Sequence, residues 1–110
     1  MGIRNMNTRT KHLDISRAVR AEVYERDNWN GGICCVACGK ASFLQIHHYI
    51  PRSLSGLAIP ENLVVLCIEC HEKADHGKPI EREDMKRRIR EHLQWKYPYW
   101  DETQLTYRRQ

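Results

Sequence analysis

The sequence predicts an α+β fold in which two short strands joined by a loop run directly into a helix, with a structural metal site at their ends and further helices on the flanks. Three observations carry this expectation. Two apolar stretches, 43–50 and 62–66, flank a segment containing Ser53, Ser55, Gly56 and Pro60, the pattern of paired strands around a loop. Two Cys-x-x-Cys pairs, Cys35/Cys38 and Cys67/Cys70, bracket those strands, each delivering two thiolates from one tight bend. Met85, Ile89 and Leu93 recur every four residues in an otherwise charged stretch, which is helical spacing.

In chain order, residues 1–15 read as a basic arm carrying Arg4, Arg9 and Lys11. A helix is predicted from Ser16, a suitable N-cap, with Val19, Val23 and Arg26 along one side and Asn28, Asn30, Gly31 and Gly32 ending it. Residues 33–40 read as a metal-binding turn in which Gly39 lets the backbone fold sharply. The strand over 43–50 is stopped by Pro51, the loop covers 52–60, and Asn62 opens the second strand. From about Cys67 a short helix is expected, with Gly77 as its stop. A longer helix follows over 80–95, its acids leading and its bases trailing in agreement with the helix dipole, until Pro98 breaks it. The tail, 97–109, is aromatic and basic, and Asp101 with Gln104 has the form of an N-cap and its reciprocal partner. The core unit is thus expected over 16–78, with 79–110 part of the same single domain, as suits a chain of 110 residues.

Hydrophobic residues make up 41% of the chain, below the usual ~45–50%, so a chain this short is expected to need a metal clip as well as a core. The formal charge is +4, which favours a polyanionic partner. The N-terminal stretch holds no apolar run and reads as neither signal peptide nor membrane span, and Met6 stands where a myristoylation signal needs Ser or Thr. A cytoplasmic location and reduced cysteines are the expectation. Four thiolates then imply one structural zinc, Zn2+, held by Cys35, Cys38, Cys67 and Cys70, although Cys34 is an alternative to Cys35 with one more intervening residue.

Between the cysteine pairs stand His47 and His48, then Asn62, and His71 directly follows the second pair. The segments Ile46-His-His-Tyr-Ile-Pro-Arg-Ser, Glu61-Asn-Leu-Val-Val-Leu-Cys and Cys70-His71, preceded by Tyr24-Glu-Arg-Asp and the first Cys pair, resemble the HNH nucleases. The resemblance spans about 19–77 and is similar to the four-cysteine type of small phage and prophage proteins. It implies the small ββα-metal (His-Me finger) fold and a metal-dependent endonuclease acting on DNA. It implies His48 as general base, His47 and His71 as ligands of a catalytic cation, and Asn62 as a residue that positions the base or touches the metal. Where relatives carry a further His four residues beyond the final one, this chain has Asp75, with His76 one further on; either completes the metal shell. The chemistry stands on its own terms, since phosphodiester hydrolysis needs a deprotonated water and a cation, and imidazole accepts a proton near neutral pH. A second divalent cation is expected, Mg2+ or Mn2+ by preference, with Ni2+ or Zn2+ also compatible. Adjacent strand residues face opposite sides, so His47 and His48 share a site only if the strand bends or ends there.

Arg52 reads either as a phosphate contact or as an exposed loop base. Arg82, Lys86, Arg87, Arg88 and Arg90 form either a DNA-backbone contact or a solvated face. Tyr97, Tyr99, Trp100 and Tyr107 suit core cover better than base stacking. The competing functions are a zinc-stabilised nucleic-acid-binding module that does not cut, and an accessory that docks on phage packaging proteins.

Overall fold

The computed structural model describes residues 8–29 and 31–108. Arg4, Asn30 and Arg109 lie outside the described residues. The centre of the molecule is an antiparallel hairpin of β3 (Leu44–His48) and β4 (Leu63–Cys67), in register from Leu44 opposite Cys67 to His48 opposite Leu63. Every residue of β4 is buried, which explains its unbroken apolar run: the strand has a packed layer on both faces. Val64 and Leu66 join Met85, Ile89 and Leu93 of α4 (Pro79–Lys96), while Leu63 and Val65 meet Val23 of α2 (Arg17–Arg26). The helix α3 (Ile68–His76) continues directly from β4 and packs against α4.

The predicted cap at Ser16 forms, its Oγ accepting from the Val19 amide at 3.1 Å; α4 starts one residue earlier than expected, at Pro79, where a missing N–H is harmless. Gly77 ends α3 for a different reason from the one expected, because its backbone is extended (φ −70°) rather than left-handed. A Cβ there would lie 2.5 Å from the Lys73 carbonyl oxygen, so the glycine is required by crowding. Gly39, at φ +81°, is the left-handed bend predicted in the cysteine turn.

Four features depart from expectation. Within the predicted N-terminal arm, Thr8–Leu13 is a helix, α1, and Leu13 is buried. The segment after α2 forms a two-residue ladder of β1 (Asn28–Trp29) with β2 (Gly32–Ile33) rather than a plain loop. Asn62 ends a 3-10 turn, Pro60–Asn62, instead of opening the strand. Asp101 does cap a turn, Glu102–Gln104, but through the Thr103 amide at 2.9 Å and without a reciprocal Gln104 side chain.

Between α2, β4 and α4 lies a buried ionic hub. Asp27 accepts from Arg26 Nε and Nη2, each at 2.8 Å, and from the Val65 amide at 2.9 Å, with His92 Nε2 also 2.9 Å away. Arg26 also donates to the carbonyls of Pro60 and Leu63, each at 2.6 Å, tying the helix end to the start of β4. Burial alone would raise the Asp27 pKa, but the hydrogen bonds from Arg26 and His92, the Arg26 charge and the Val65 amide outweigh it and lower it to about 2. A carboxylate depressed in the fold contributes stability above its unfolded pKa and loses it as pH falls toward the folded one. Chemical denaturation should therefore show a loss of about 2 kcal/mol between pH 4 and 2 from this group. Asp27→Ala, which strands a buried guanidinium, should cost about 3–5 kcal/mol at neutral pH. A denaturation midpoint unchanged by that substitution would contradict the hub.

Candidate active site

The first cysteine pair sits in the turn after β2, closed by Cys35 N to Lys40 O at 2.8 Å and Gly39 N to Cys35 O at 2.9 Å. The second straddles the end of β4 and the first turn of α3, where Cys67 Sγ accepts from the Cys70 amide at 3.5 Å. A matching contact joins the Ala37 amide to Cys35 Sγ at 3.4 Å. The four Sγ atoms of Cys35, Cys38, Cys67 and Cys70 lie within 4.8 Å of one another, and Cys38 and Cys67 are 3.6 Å apart. Zinc–sulfur bonds of about 2.3 Å in a tetrahedron require sulfur separations of about 3.8 Å, so the donor set fits zinc. Cys35 rather than Cys34 joins the cluster; Cys34 is half-buried, its amide donating to Asp27 O at 3.3 Å.

A second cluster forms where β3 crosses α3. His47, His71 and Asp75 bring their ligand atoms within 4.8 Å of one another. His71 and Asp75 are one helical turn apart, with His71 Nδ1 3.2 Å and His47 Nδ1 3.9 Å from the carboxylate, and the two rings meet edge-on at 4.9 Å. Burial lowers the His47 pKa to about 4, with His71 and His48 adding to the effect and the Asp75 charge opposing it. His47 is therefore a neutral imidazole at physiological pH, the form that ligates metals. His76 does not join the cluster. Its side chain is 74% exposed and lies 4.0 Å from Glu72, because α3 stays regular through its last residue and turns that position away.

His47 and Asp75 of the cluster line a cleft of about 400 Å³, together with Tyr49, Pro51, Leu54, Arg82, Glu83 and Lys86. Of the basic residues on α4, Arg82 and Lys86 thus line the cleft. Arg87 is held by Asp84 and Glu91, Arg88 by Asp84, and the neighbouring Tyr49 hydroxyl is the main influence raising the Arg90 pKa. Arg52 pairs with Asp14 at 2.6 Å, just after α1. In the tail, Tyr97 and Trp100 cover the core and Leu105 is buried within it, while Tyr99 is exposed and Tyr107 stacks on His12.

The hairpin ladder remains regular through His48, which therefore leaves β3 on the side opposite His47 and does not line the cleft. It occupies the last rung, half-buried, with Nε2 3.2 Å from the Leu13 carbonyl oxygen. A carbonyl only accepts, so the neutral ring carries its proton on Nε2 and leaves the lone pair on Nδ1. Burial lowers the His48 pKa, opposed by the Leu13 carbonyl, with Arg52 adding and Asp14 opposing.

Asn62 touches neither the His48 ring nor the His47 cluster through any hydrogen bond seen among the described residues. It is fully buried, its Oδ1 accepting from Ile50 N at 2.8 Å and its Nδ2 donating to Ile50 O at 3.1 Å and Leu57 O at 2.9 Å. It clamps the chain that leaves His48. Gly56 belongs to the same clamp, since a Cβ there would lie 1.6 Å from the Ile50 carbonyl oxygen. The sequence marked Gly56 only as a loop residue.

Residues 35–82 match the family model described as HNH endonuclease. That segment holds both clusters, the hairpin and α3, and its fold is the ββα arrangement of HNH proteins. A comparison with curated proteins finds no match. Among the described residues, no helix is long and apolar enough to cross a membrane.

Proposed function

With an HNH endonuclease domain at residues 35–82 as premise, we propose that the protein is a divalent-metal-dependent endonuclease that hydrolyses phosphodiester bonds in DNA. The observation that supports this most is the His47, His71 and Asp75 cluster, of which His47 and Asp75 line a cleft that also holds Arg82, Glu83 and Lys86. Three protein donors with an open side are the arrangement of a catalytic rather than a structural metal site. A divalent cation held there would neutralise charge on the scissile phosphate and the departing oxygen. Two imidazoles and one carboxylate move the expectation from magnesium toward manganese, nickel or zinc.

In this reading His48 is the general base, accepting a proton from water at Nδ1 while the Leu13 carbonyl holds its Nε2–H. This reading requires the scissile phosphate to lie across the end of β3, where His48 occupies the last rung on the face opposite His47. Asn62 is a positioning residue, fixing the Ile50 backbone and so the direction in which the chain leaves the base. Arg82 and Lys86 hold the DNA backbone. The site of action is the cytoplasm of a bacterial or phage-infected cell.

The test is cleavage of plasmid and linear DNA with magnesium, manganese, nickel or zinc supplied in turn. Cutting with at least one ion and none in its absence is expected. Binding should weaken with salt by about 0.9 log units per log unit of salt for each phosphate neutralised, and Arg82→Ala with Lys86→Ala should flatten that slope by about two. Arg87→Ala, removing a side chain already held by Asp84 and Glu91, should leave the slope unchanged.

One observation favours a second reading, a zinc-stabilised binding module that does not cut: His48 lies off the cleft that His47 lines. DNA binding without cleavage under all four ions would establish it.

A further inference from the structure

The loop between the two strands places Leu54 at the cleft. Leu54 is 66% exposed and lines the same cleft as His47, Asp75, Arg82, Glu83 and Lys86. A single exposed leucine is ordinary on a protein surface, but one beside cations that suit phosphates is a suitable contact for stacked bases.

The backbone beneath Leu54 is braced from three directions. Leu54 N and Gly56 N both donate to Pro51 O at 2.9 Å, and Ser55 takes the left-handed conformation at φ 66° to complete the turn. Gly56 packs directly on the Ile50 carbonyl, and Asn62 holds both Ile50 and Leu57. The tail closes the third side, with Tyr107 N donating to Ser55 O and Leu57 N to Leu105 O, each at 2.8 Å. A side chain that presses into a base stack needs such support, because a yielding loop would fold back before the bases parted.

We propose that Leu54 is an apolar wedge that enters a base step of duplex DNA bound in the cleft, opening the stack next to the phosphate presented to the His47, His71 and Asp75 cluster. The wedge rests on the nuclease reading and deepens it, since it makes local deformability of the duplex a determinant of where the protein engages. Arg82 and Lys86 hold the backbone on either side of the step, and burial of the leucine offsets part of the cost of unstacking.

The experiment uses the full chain carrying His48→Ala, so that DNA is bound without being cut, and duplexes with 2-aminopurine at successive positions. Parent protein should brighten 2-aminopurine at one step, Leu54→Met should preserve the signal, and Leu54→Ser should remove it. Leu54→Ser should also weaken binding to fully paired DNA by about tenfold and regain that affinity on a duplex mismatched at the same step, where the stack is already open. Unaltered fluorescence and affinity in Leu54→Ser would overturn the wedge alone and leave a protein surface as the occupant of the exposed leucine. Failure of the parent protein to bind any DNA would overturn the nuclease reading and the wedge together.

Discussion

Replacing Cys67 and Cys70 together with serine is expected to leave the chain without a cooperative fold and without bound zinc. Cys67 is the last residue of β4, pairs across the hairpin with Leu44, and caps α3 through its sulfur; Cys70 is in the first turn of that helix. The metal they would hold therefore joins the cysteine turn after β2 to the strand that carries both core layers. Structural zinc in small metal-dependent domains contributes about 10–16 kcal/mol of apparent binding free energy near neutral pH. That matches or exceeds the roughly 5–15 kcal/mol of net stability typical of a whole domain. Without the ion, four thiols would be packed close together, with Cys35, Cys67 and Cys70 buried. Elemental analysis and far-UV circular dichroism check the prediction: one zinc per chain in the wild type, none and a largely lost helical signal in the double variant. Cys34→Ser is the control and should keep both metal and fold, since Cys34 lies outside the four-sulfur cluster. A double variant that melts cooperatively at the wild-type temperature would refute the structural site.

What could be read in advance depended on whether the information was local. The strand β4 was legible because a segment buried on both faces writes an unbroken apolar run, and α4 because Met85, Ile89 and Leu93 mark a single buried stripe. The choice between Asp75 and His76 was not, because it depends on whether α3 remains regular to its end; it does, and the residue four positions after His71 is the one brought round to it. Asp27 was missed for a related reason. An Arg-Asp pair at a helix end looks like ordinary surface charge, and the partner that reveals its burial, His92, is far along the chain. The helix α1 is a short stretch with Leu13 as a buried anchor, and the contacts that hold it to the loop and the tail, from His12 to Ala58 and Tyr107, come from far along the chain. Asn62 stands out in the sequence through the motif it belongs to, but its hydrogen bonds run to backbone rather than to a ring, a distinction only the closed loop makes visible.

His48→Ala should reduce cleavage by roughly 10²–10⁴-fold while zinc content, DNA binding and thermal midpoint stay near wild type. The ring is half-buried at the last rung of β3, and its polar contact among the described residues is with the Leu13 carbonyl at the end of α1, so truncation removes little packing. The loss should fall on kcat with KM nearly unchanged, as for a group whose interaction is made only in the transition state. Single-turnover cleavage of a radiolabelled duplex at saturating ion measures it, and wild-type rates in the variant would place the base elsewhere. Asn62→Ala separates a base from its positioning device. It leaves the Ile50 amide and the Ile50 and Leu57 carbonyls without their partner in a buried site, at about 1–3 kcal/mol for each group left unsatisfied. Activity and stability should therefore fall together in Asn62→Ala, and activity alone in His48→Ala. If both variants lost activity with stability untouched, Asn62 would have to act on the reacting groups directly rather than through the backbone it clamps.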